Sequence, residues 1–236
     1  MNYSLQAIGD AAIKIEFSDA LLPELNREVQ LFCRKMEECA PLPGMIEWVP
    51  AFDSVTIYYE PHSLSYQECC EKMHQIQQMT IEAAEIEPRC VSVPVLYGGD
   101  YGPDLERVAE VNGLTPDEVV SIHCEGDYSV YMLGFLPGFP YLGGLDKRIA
   151  TPRLEEPRAK VAAGAVGIAH EQTGIYPLDS PGGWNIIGKT PLTLFERNRE
   201  DTFLFRAGDR VRFYEVSEDE LAAIGKGRVV NDGKTR

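Results

Sequence analysis

The sequence predicts an α+β chain of 236 residues built in two parts. A small α+β sandwich is expected over residues 1–88, and a unit of many short strands, barrel or sandwich, over residues 89–236. Three observations lead there. Up to Leu96, period-two stretches alternate with two amphipathic helical stretches. From Tyr128 onward no convincing helical stripe returns until about Glu218. The stretch Tyr128–Phe195 holds 10 of the 21 glycines and 7 of the 16 prolines while staying rich in aromatic and β-branched residues. Glycine permits backbone angles that other residues avoid, and proline fixes its own angle and removes a donor. A stretch dense in both reads as a series of specified turns, the way a binding surface is built on loops.

Taken in order, Tyr3–Ile8 and Ala11–Phe17 read as strands, the second placing Ile13, Ile15 and Phe17 on one face and Lys14 and Glu16 on the other. Pro23 to about Ala40 reads as a helix with Leu25, Val29, Phe32, Cys33 and Met36 on one stripe, stopped by Pro41-Leu-Pro-Gly44. Met45–Val49 and Ser54–Tyr59 are two more strands. Ser65–Ala84 is a second helix, with Ser65 and Glu68 at capping-box spacing. Arg89–Leu96 is a further strand. This β-β-α-β-β-α-β order suggests a sheet with helices on one side, and the boundary with the rest falls near Glu85–Pro88. Pro103–Asn112 reads as a short helix ended by Gly113, and Thr115-Pro-Asp-Glu118 opens another, with Thr as N-cap and Pro at the first position. Beyond it, Val161–Ile168, Trp184–Ile187, Leu192–Phe195, Phe203–Phe205 and Val211–Val216 read as short strands between turn signals. No internal repeat is evident.

The net charge of −15 is unevenly spread. Residues 1–127 hold 23 acids and 7 bases, or −16; Tyr128–Phe195 holds 5 and 6, or +1; residues 196–236 hold 9 of each. The acidic half argues against nucleic acid as a partner, because phosphates would be repelled. The near-neutral Gly/Pro stretch is the place to seek a polar or anionic ligand. None of the six cysteines forms a C-x-x-C pair, the N-terminus has neither a basic nor an apolar signal region, and no run of 18 apolar residues exists. Reduced cysteines and a cytoplasmic protein without a membrane span are the expectation.

Several motifs could carry chemistry. Gly183–Thr190, GWNIIGKT, satisfies the phosphate-loop expression G-x-x-x-x-G-K-[ST]. A true phosphate loop opens a helix; here Pro191 follows and the stretch continues as strand, and Trp, Asn, Ile and Ile are too bulky to wrap a phosphate. Lys189 and Thr190 are therefore expected on a β-turn, where they could still face a ligand. In Gly134–Gly144, Phe135, Phe139 and Tyr141 interleave with Gly and Pro and could line a pocket, or cap the core. Arg153 and Arg158, each preceded by proline, suggest capture of a carboxylate or phosphate; surface pairing with Glu155, Glu156 or acids of the first domain is the alternative. His123 and His170 are candidate general bases, though a lone histidine is more often structural or solvated. No metal-ligand pattern and no G-x-S-x-G elbow exist.

The same run resembles a bacterial family, that of the B-type component of 5-oxoprolinase, also called KipI or allophanate hydrolase subunit 1. The matching pieces are His123, Tyr128, GFLPGFPYLGGL (Gly134–Leu145), TPR (Thr151–Arg153), PR (Pro157–Arg158), AGAVGIA (Ala163–Ala169), QTGIYP (Gln172–Pro177), SPGGW (Ser180–Trp184) and IGKTPLTLF (Ile187–Phe195). The resemblance implies a ferredoxin-like α/β sandwich followed by a cyclophilin-like β-barrel. It implies a component of an ATP-dependent 5-oxoprolinase, opening 5-oxo-L-proline to L-glutamate. Its partners there would be a homologous, cyclophilin-like C-type component (KipA-like) and an A-type component. The resemblance also leaves open a KipI-type inhibitor of a sporulation histidine kinase, or a subunit of an allophanate- or urea-related hydrolase or carboxylase. On the matching positions, His123 and Tyr176 are candidate catalytic groups. Arg153, Arg158, Phe135, Phe139, Tyr141, Trp184, Lys189 and Thr190 are candidate substrate contacts. No metal is expected, and ATP is expected in the assembled complex, with no site evident in this chain.

Overall fold

The structure is a computed structural model that describes residues 2–18, 22–39, 42–80 and 88–224. The chain divides into two units, Met1–Glu87 and Pro88–Arg236. The first contains β1 (Asn2–Ala7), β2 (Ala12–Ser18), α1 (Leu22–Glu38), β3 (Met45–Pro50), β4 (Ser54–Tyr59) and α2 (Tyr66–Gln78). Its strands make one antiparallel sheet in the order β1-β2-β4-β3. Ile13, Ile15 and Phe17 of β2 and Val55 and Ile57 of β4 pack with Val29, Phe32, Cys33 and Met36 of α1 and Cys69, Met73 and Ile76 of α2. One covered sheet face produces the period-two alternation that the sequence displays. Ser65 and Glu68 close a capping box on α2. At the other end, buried Lys35 donates from Nζ to Gln77 O at 2.6 Å, satisfying a terminal carbonyl. α2 stops at Gln78, where Met79 turns to extended backbone. The remainder of the expected helix to Ala84, and most of the boundary expected near Glu85–Pro88, lie outside the described residues.

The second unit contains β5 (Cys90–Tyr97), α3 (Leu105–Asn112), α4 (Pro116–Glu125), β6 (Tyr128–Leu133), β7 (Pro140–Gly143), a 3-10 turn at Lys147–Ile149, β8 (Arg158–Val161), β9 (Ala165–Ala169), β10 (Gln172–Ile175), β11 (Ser180–Gly182), β12 (Asn185–Lys189), β13 (Arg210–Glu215) and α5 (Glu218–Ile224). Seven strands close into a barrel in the order β10-β7-β6-β13-β5-β12-β9, and β11 and β8 pair as a separate ribbon. The structure differs from the sequence expectation at three places. β5, which the β-β-α-β-β-α-β order counts with the preceding sheet although the expected boundary at residue 88 puts it in the second unit, is a barrel strand, parallel to β13 and antiparallel to β12. Val91, Val93 and Val95 belong to the barrel core with Val211 and Phe213. The single strand expected at Val161–Ile168 is two strands, split by a turn at Gly164, whose φ is +84°. Leu192–Phe195 and Phe203–Phe205 meet through one bridge, Phe195 to Phe203, rather than as strands. β7, β10 and β11 carry no legible strand signal, because each is three or four residues long and holds Gly or Pro, and β6, Tyr128–Leu133, is a further strand that the sequence expectation does not include. Among the described residues no helix is long and apolar enough to cross a membrane.

The helix ends follow their local chemistry. Thr115 and Glu118 form a reciprocal capping box with Pro116 just inside, and Gly113 ends α3 with a φ of +67°. Gly102, ahead of α3, lies against β12: a Cβ there would stand 2.1 Å from Ile187 O. Gly102→Ala should destabilise by about 1–3 kcal/mol through forced displacement of β12. Gly113→Ala, which meets no atom within 4 Å, should cost about 1–2 kcal/mol from its left-handed backbone alone. Thermal unfolding of both variants checks this; a Gly102→Ala melt equal to wild type would contradict the close approach.

Candidate functional site

The barrel strands β7, β10, β9 and β12 are buried on both faces. Inward stand Leu142, Ile175, Val166, Ile168 and Ile187. Outward stand Ala165, Ala169, Tyr176 and Ile186, covered by Phe139, Trp184 and Val161. Two glycines make room for the outer rings. A Cβ on Gly174 would lie 3.0 Å from both Phe139 and Trp184, and one on Gly167 would lie 3.2 Å from Trp184. Phe139 is the hub, with ring centroids 5.0 Å from Tyr141, 5.2 Å from Tyr176 and 5.4 Å from Trp184, mostly edge to face. Tyr141 stands 6.1 Å from Trp184.

The structure therefore gathers Phe135, Phe139, Tyr141, Tyr176 and Trp184 into one cluster, but not as an open pocket. Phe139, Tyr176 and Trp184 are 1%, 1% and 4% exposed, so they form a floor. Phe135, 62% exposed, and half-buried Tyr141 are the rings that reach the surface. Phe135 sits edge-on to Phe139 at 5.6 Å. Its φ is +65°, and Leu136 N–H donates across it to Gly134 O at 2.7 Å. This is the rare three-residue turn of positive φ, a strained setting for a bulky residue. A shallow groove lined by Leu133, Thr202, Phe203 and Arg206 borders this loop.

The two arginines separate. Arg158 lies on β8 and donates from Nη2 to Asp104 Oδ1 at 2.6 Å. Buried Asp104 accepts Ile186 N–H at 2.6 Å through its other oxygen. Arg158 Nη1 is buried and has no hydrogen-bond partner. Pairing with Glu155 or Glu156 is thus replaced by pairing with Asp104, across 54 residues of sequence. Arg153 is exposed and forms no ion pair among those of the described residues. Burial pushes the Tyr141 and Tyr176 phenols up from their ordinary value, and the Arg153 charge opposes that rise at both. At Tyr176 the neighbouring Trp184 backbone N–H also opposes it. The Tyr176 hydroxyl packs onto Gly182, where a Cβ would meet it at 2.3 Å. Both phenols remain protonated donors at neutral pH.

The segment bearing Arg153 is stapled to the barrel. Asn185, fully buried, donates from Nδ2 to Pro152 O at 2.9 Å and to Ile168 O at 3.1 Å. Its Oδ1 accepts from Arg107 Nε of α3 at 3.1 Å. Leu154 N–H donates to Gly183 O at 2.8 Å, and Asn112 Nδ2 donates to Thr151 Oγ1 at 3.0 Å.

The other candidates lie apart. Lys189 ends β12 about 15 Å along the strand from Trp184, its charge acting on Asp179. Thr190 is 2% exposed and faces no open surface. Gly183–Thr190 runs into strand β12, not a helix, as its rejection as a phosphate loop requires. His170 is exposed at a two-residue hairpin turn between β9 and β10, with φ +54°. His123 is wholly enclosed. Its ring lies 4.4 Å from Phe213, and Nδ1 and Nε2 stand 2.7 Å from Tyr97 Oη and 3.0 Å from Thr173 Oγ1. Because Thr173 already donates to Gly167 O at 3.1 Å, it accepts from Nε2–H, and Nδ1 accepts from Tyr97. Burial lowers the imidazole to about 3, so it is neutral and sealed from any substrate. Asp104, Arg107, Asn112, Asn185, Tyr97 and Thr173 are not singled out by sequence. Asn185 and Thr173 have a local signal, the first beside the SPGGW run and the second inside QTGIYP.

Residues 3–205 match the family described as carboxyltransferase domain, subdomain C and D. Over 233 residues the chain is 44% identical to a Bacillus subtilis (strain 168) protein named as the B component of 5-oxoprolinase, covering 94% of this chain and 97% of that one. The solved structure of TTHA0988 superposes with a TM-score of 0.77 at 37% identity, covering 87% of this chain and 40% of that longer chain. The Kluyveromyces lactis urea amidolyase shares the fold, with a TM-score of 0.73 at 20% identity over 94% of this chain and 15% of that one.

The enclosed histidine sets a pH dependence. Its folded value, about 3, lies below the unfolded value near 6.5. Below pH 6.5 the unfolded chain binds a proton that the folded one refuses, so stability is full above that pH and lost as pH falls. The loss from this group is about 1.4 kcal/mol per unit well below 6.5. Urea unfolding at pH 7.5 and 5.5 should show it in the wild type. His123→Gln, which hydrogen-bonds but does not titrate, should lack that part of the slope.

Proposed function

Since this chain belongs to the carboxyltransferase subdomain C and D family, and within it to the 5-oxoprolinase B-component, KipI and allophanate hydrolase subunit 1 branch, we propose that it is one component of an ATP-dependent 5-oxoprolinase that opens 5-oxo-L-proline to L-glutamate. The observation that carries this is the rim of the aromatic cluster. There an arginine without an ion pair, Arg153, acts on half-buried Tyr141 beside exposed Phe135. 5-Oxoproline is a small flat ring bearing one carboxylate, and such a rim offers a ring face and a guanidinium fork of matching chemistry.

A lactam carbonyl is a poor electrophile, and ATP supplies its activation. Nothing in the Gly183–Thr190 stretch fits a nucleotide phosphate, since it is strand. ATP is therefore assigned to the partner proteins, the C-type homologue and the A-type component. This chain's residues bind and orient. Arg153 takes the carboxylate, Tyr141 and Phe135 flank the ring, and Trp184, Phe139 and Tyr176 keep the floor dry. Arg158, tied to Asp104, holds β8, and His123 holds the barrel interior rather than moving protons. That TTHA0988 carries this fold within a chain more than twice as long supports a fold that works beside further domains. The β-β-α-β-β-α order of the first unit is what a ferredoxin-like β-α-β-β-α-β unit becomes when its last strand moves to the front. The closed barrel agrees with a cyclophilin-like second unit.

Co-expression with the A-type and C-type components should yield ATP-dependent glutamate release, and the purified single chain should yield none; turnover by the single chain would overturn the reading. In the reconstituted complex, Arg153→Lys keeps charge but loses the fork, and kcat/KM should fall about ten- to a hundredfold, the scale of a charge-assisted hydrogen bond. Its melting temperature should match wild type, because an exposed arginine contributes little. Arg158→Lys should instead lower the melting temperature through its Asp104 contact. Wild-type kinetics in Arg153→Lys would remove the anion site.

A further inference from the structure

We infer that Asn185 is a positioning residue for Arg153, that Arg107 orients its amide, and that this pair fixes where the carboxylate-binding guanidinium stands. The inference rests on the proposed function for what Arg153 binds, and on geometry alone for how Arg153 is held.

Asn185 is fully buried and its amide is used on both sides. The NH2 group donates to two backbone carbonyls, Pro152 O at 2.9 Å and Ile168 O at 3.1 Å. The first is the carbonyl of the peptide bond into Arg153. The second belongs to β9 of the barrel wall. Asn185 itself lies on β12 directly after Trp184, the floor of the aromatic cluster. One side chain thus ties three things together: the barrel wall, the aromatic floor and the backbone that launches Arg153. An amide turned end for end would point its oxygen at two carbonyl oxygens, so the orientation matters. Arg107 Nε donates to Oδ1 at 3.1 Å, and an arginine cannot accept, so it enforces the orientation in which NH2 faces the carbonyls. Pro152 narrows the backbone further, and Leu154 N–H on Gly183 O at 2.8 Å holds the other side of Arg153. An exposed arginine gains pre-organisation when its backbone is fixed on both flanks. Nothing about Arg153 itself would require a buried amide under its peptide bond; holding its position would.

The test uses Asn185→Ser and Arg107→Ala in the full chain. Arg107 is an exposed helix residue, so its variant keeps the fold even where Asn185→Ser does not. The first readout is independent of activity: hydrogen exchange of the Leu154 amide, which should speed up roughly tenfold or more in both variants while the β5 and β13 amides keep wild-type rates. Unchanged Leu154 exchange overturns the inference. The second readout is kinetics in the complex with the A-type and C-type components. Both variants should raise KM for 5-oxo-L-proline with little change in kcat, lowering kcat/KM about tenfold, as misplacement of a binding group does. In an Arg153→Ala background the same substitutions should cost nothing further, because the group they position is gone. A full additional loss in that background, or an undiminished KM effect, assigns Asn185 a general structural role and overturns the inference. If the wild-type complex shows no turnover at all, the functional reading falls, and the positioning inference then stands or falls on the Leu154 exchange alone.

Discussion

Closing a sheet on itself obliges each barrel strand to send one set of side chains inward, and along β7, β10, β9 and β12 the outward set is covered as well. Everything about the candidate site depends on that double burial. The outer layer is aromatic, with Phe139, Tyr176 and Trp184 lying over a wall that Gly167 and Gly174 have flattened. Each such ring buries about 150–250 Å² of surface, worth several kcal/mol at ~25 cal/mol per Å², and edge-to-face pairs add about 0.5–1.5 kcal/mol. A hydrogen bond contributes about 1 kcal/mol net. The aromatic layer therefore supplies the stability of this face, and the polar contacts decide its geometry.

Those polar contacts come largely from one side. Asp104 at the head of α3, and Arg107 and Asn112 along it, reach Arg158, Asn185 and Thr151. α3 acts as a rack over which the segment from Thr151 to Arg158 is hung. The division between the two arginines follows. Arg158 gives its charge to a buried carboxylate that also holds Ile186 N–H, and a buried carboxylate left without such partners would be costly. Arg153, five residues earlier, has its backbone held and its charge left over.

The strained turn at Phe135 belongs to the same design. A bulky residue with positive φ persists only where its surroundings over-determine it. Here Gly134 N–H donates to Phe139 O at 3.1 Å and Phe139 N–H to Leu136 O at 3.0 Å, so the turn is closed from both ends. The interior contributes in a different manner. His123, Tyr97 and Thr173 cross the barrel as a satisfied, neutral hydrogen-bond chain that ends on Gly167 O, beneath the aromatic floor. A half-satisfied chain there would be worse than an apolar one, and this one leaves neither ring nitrogen unpaired.

By itself the sequence determined the first unit well. A sheet buried on one face writes an alternating pattern, a helix on that face writes a stripe, and capping boxes at Ser65 and Thr115 are spaced by the backbone they satisfy. It also marked the stretch that holds the aromatic cluster, because tight turns demand Gly and Pro locally. It ran β8 and β9 together as one strand and did not mark β10, since strands buried on both sides lose alternation, and it placed β5 beyond the boundary without being able to pair it, since its partner β13 lies more than a hundred residues on. Likewise it showed two equivalent arginines and a histidine of open role. Only the tertiary structure decided that Asp104 claims Arg158, that Asn185 holds the backbone of Arg153, and that His123 is sealed and neutral. Burial and pairing across long stretches of chain are properties of closure, and no local pattern of residue types encodes them.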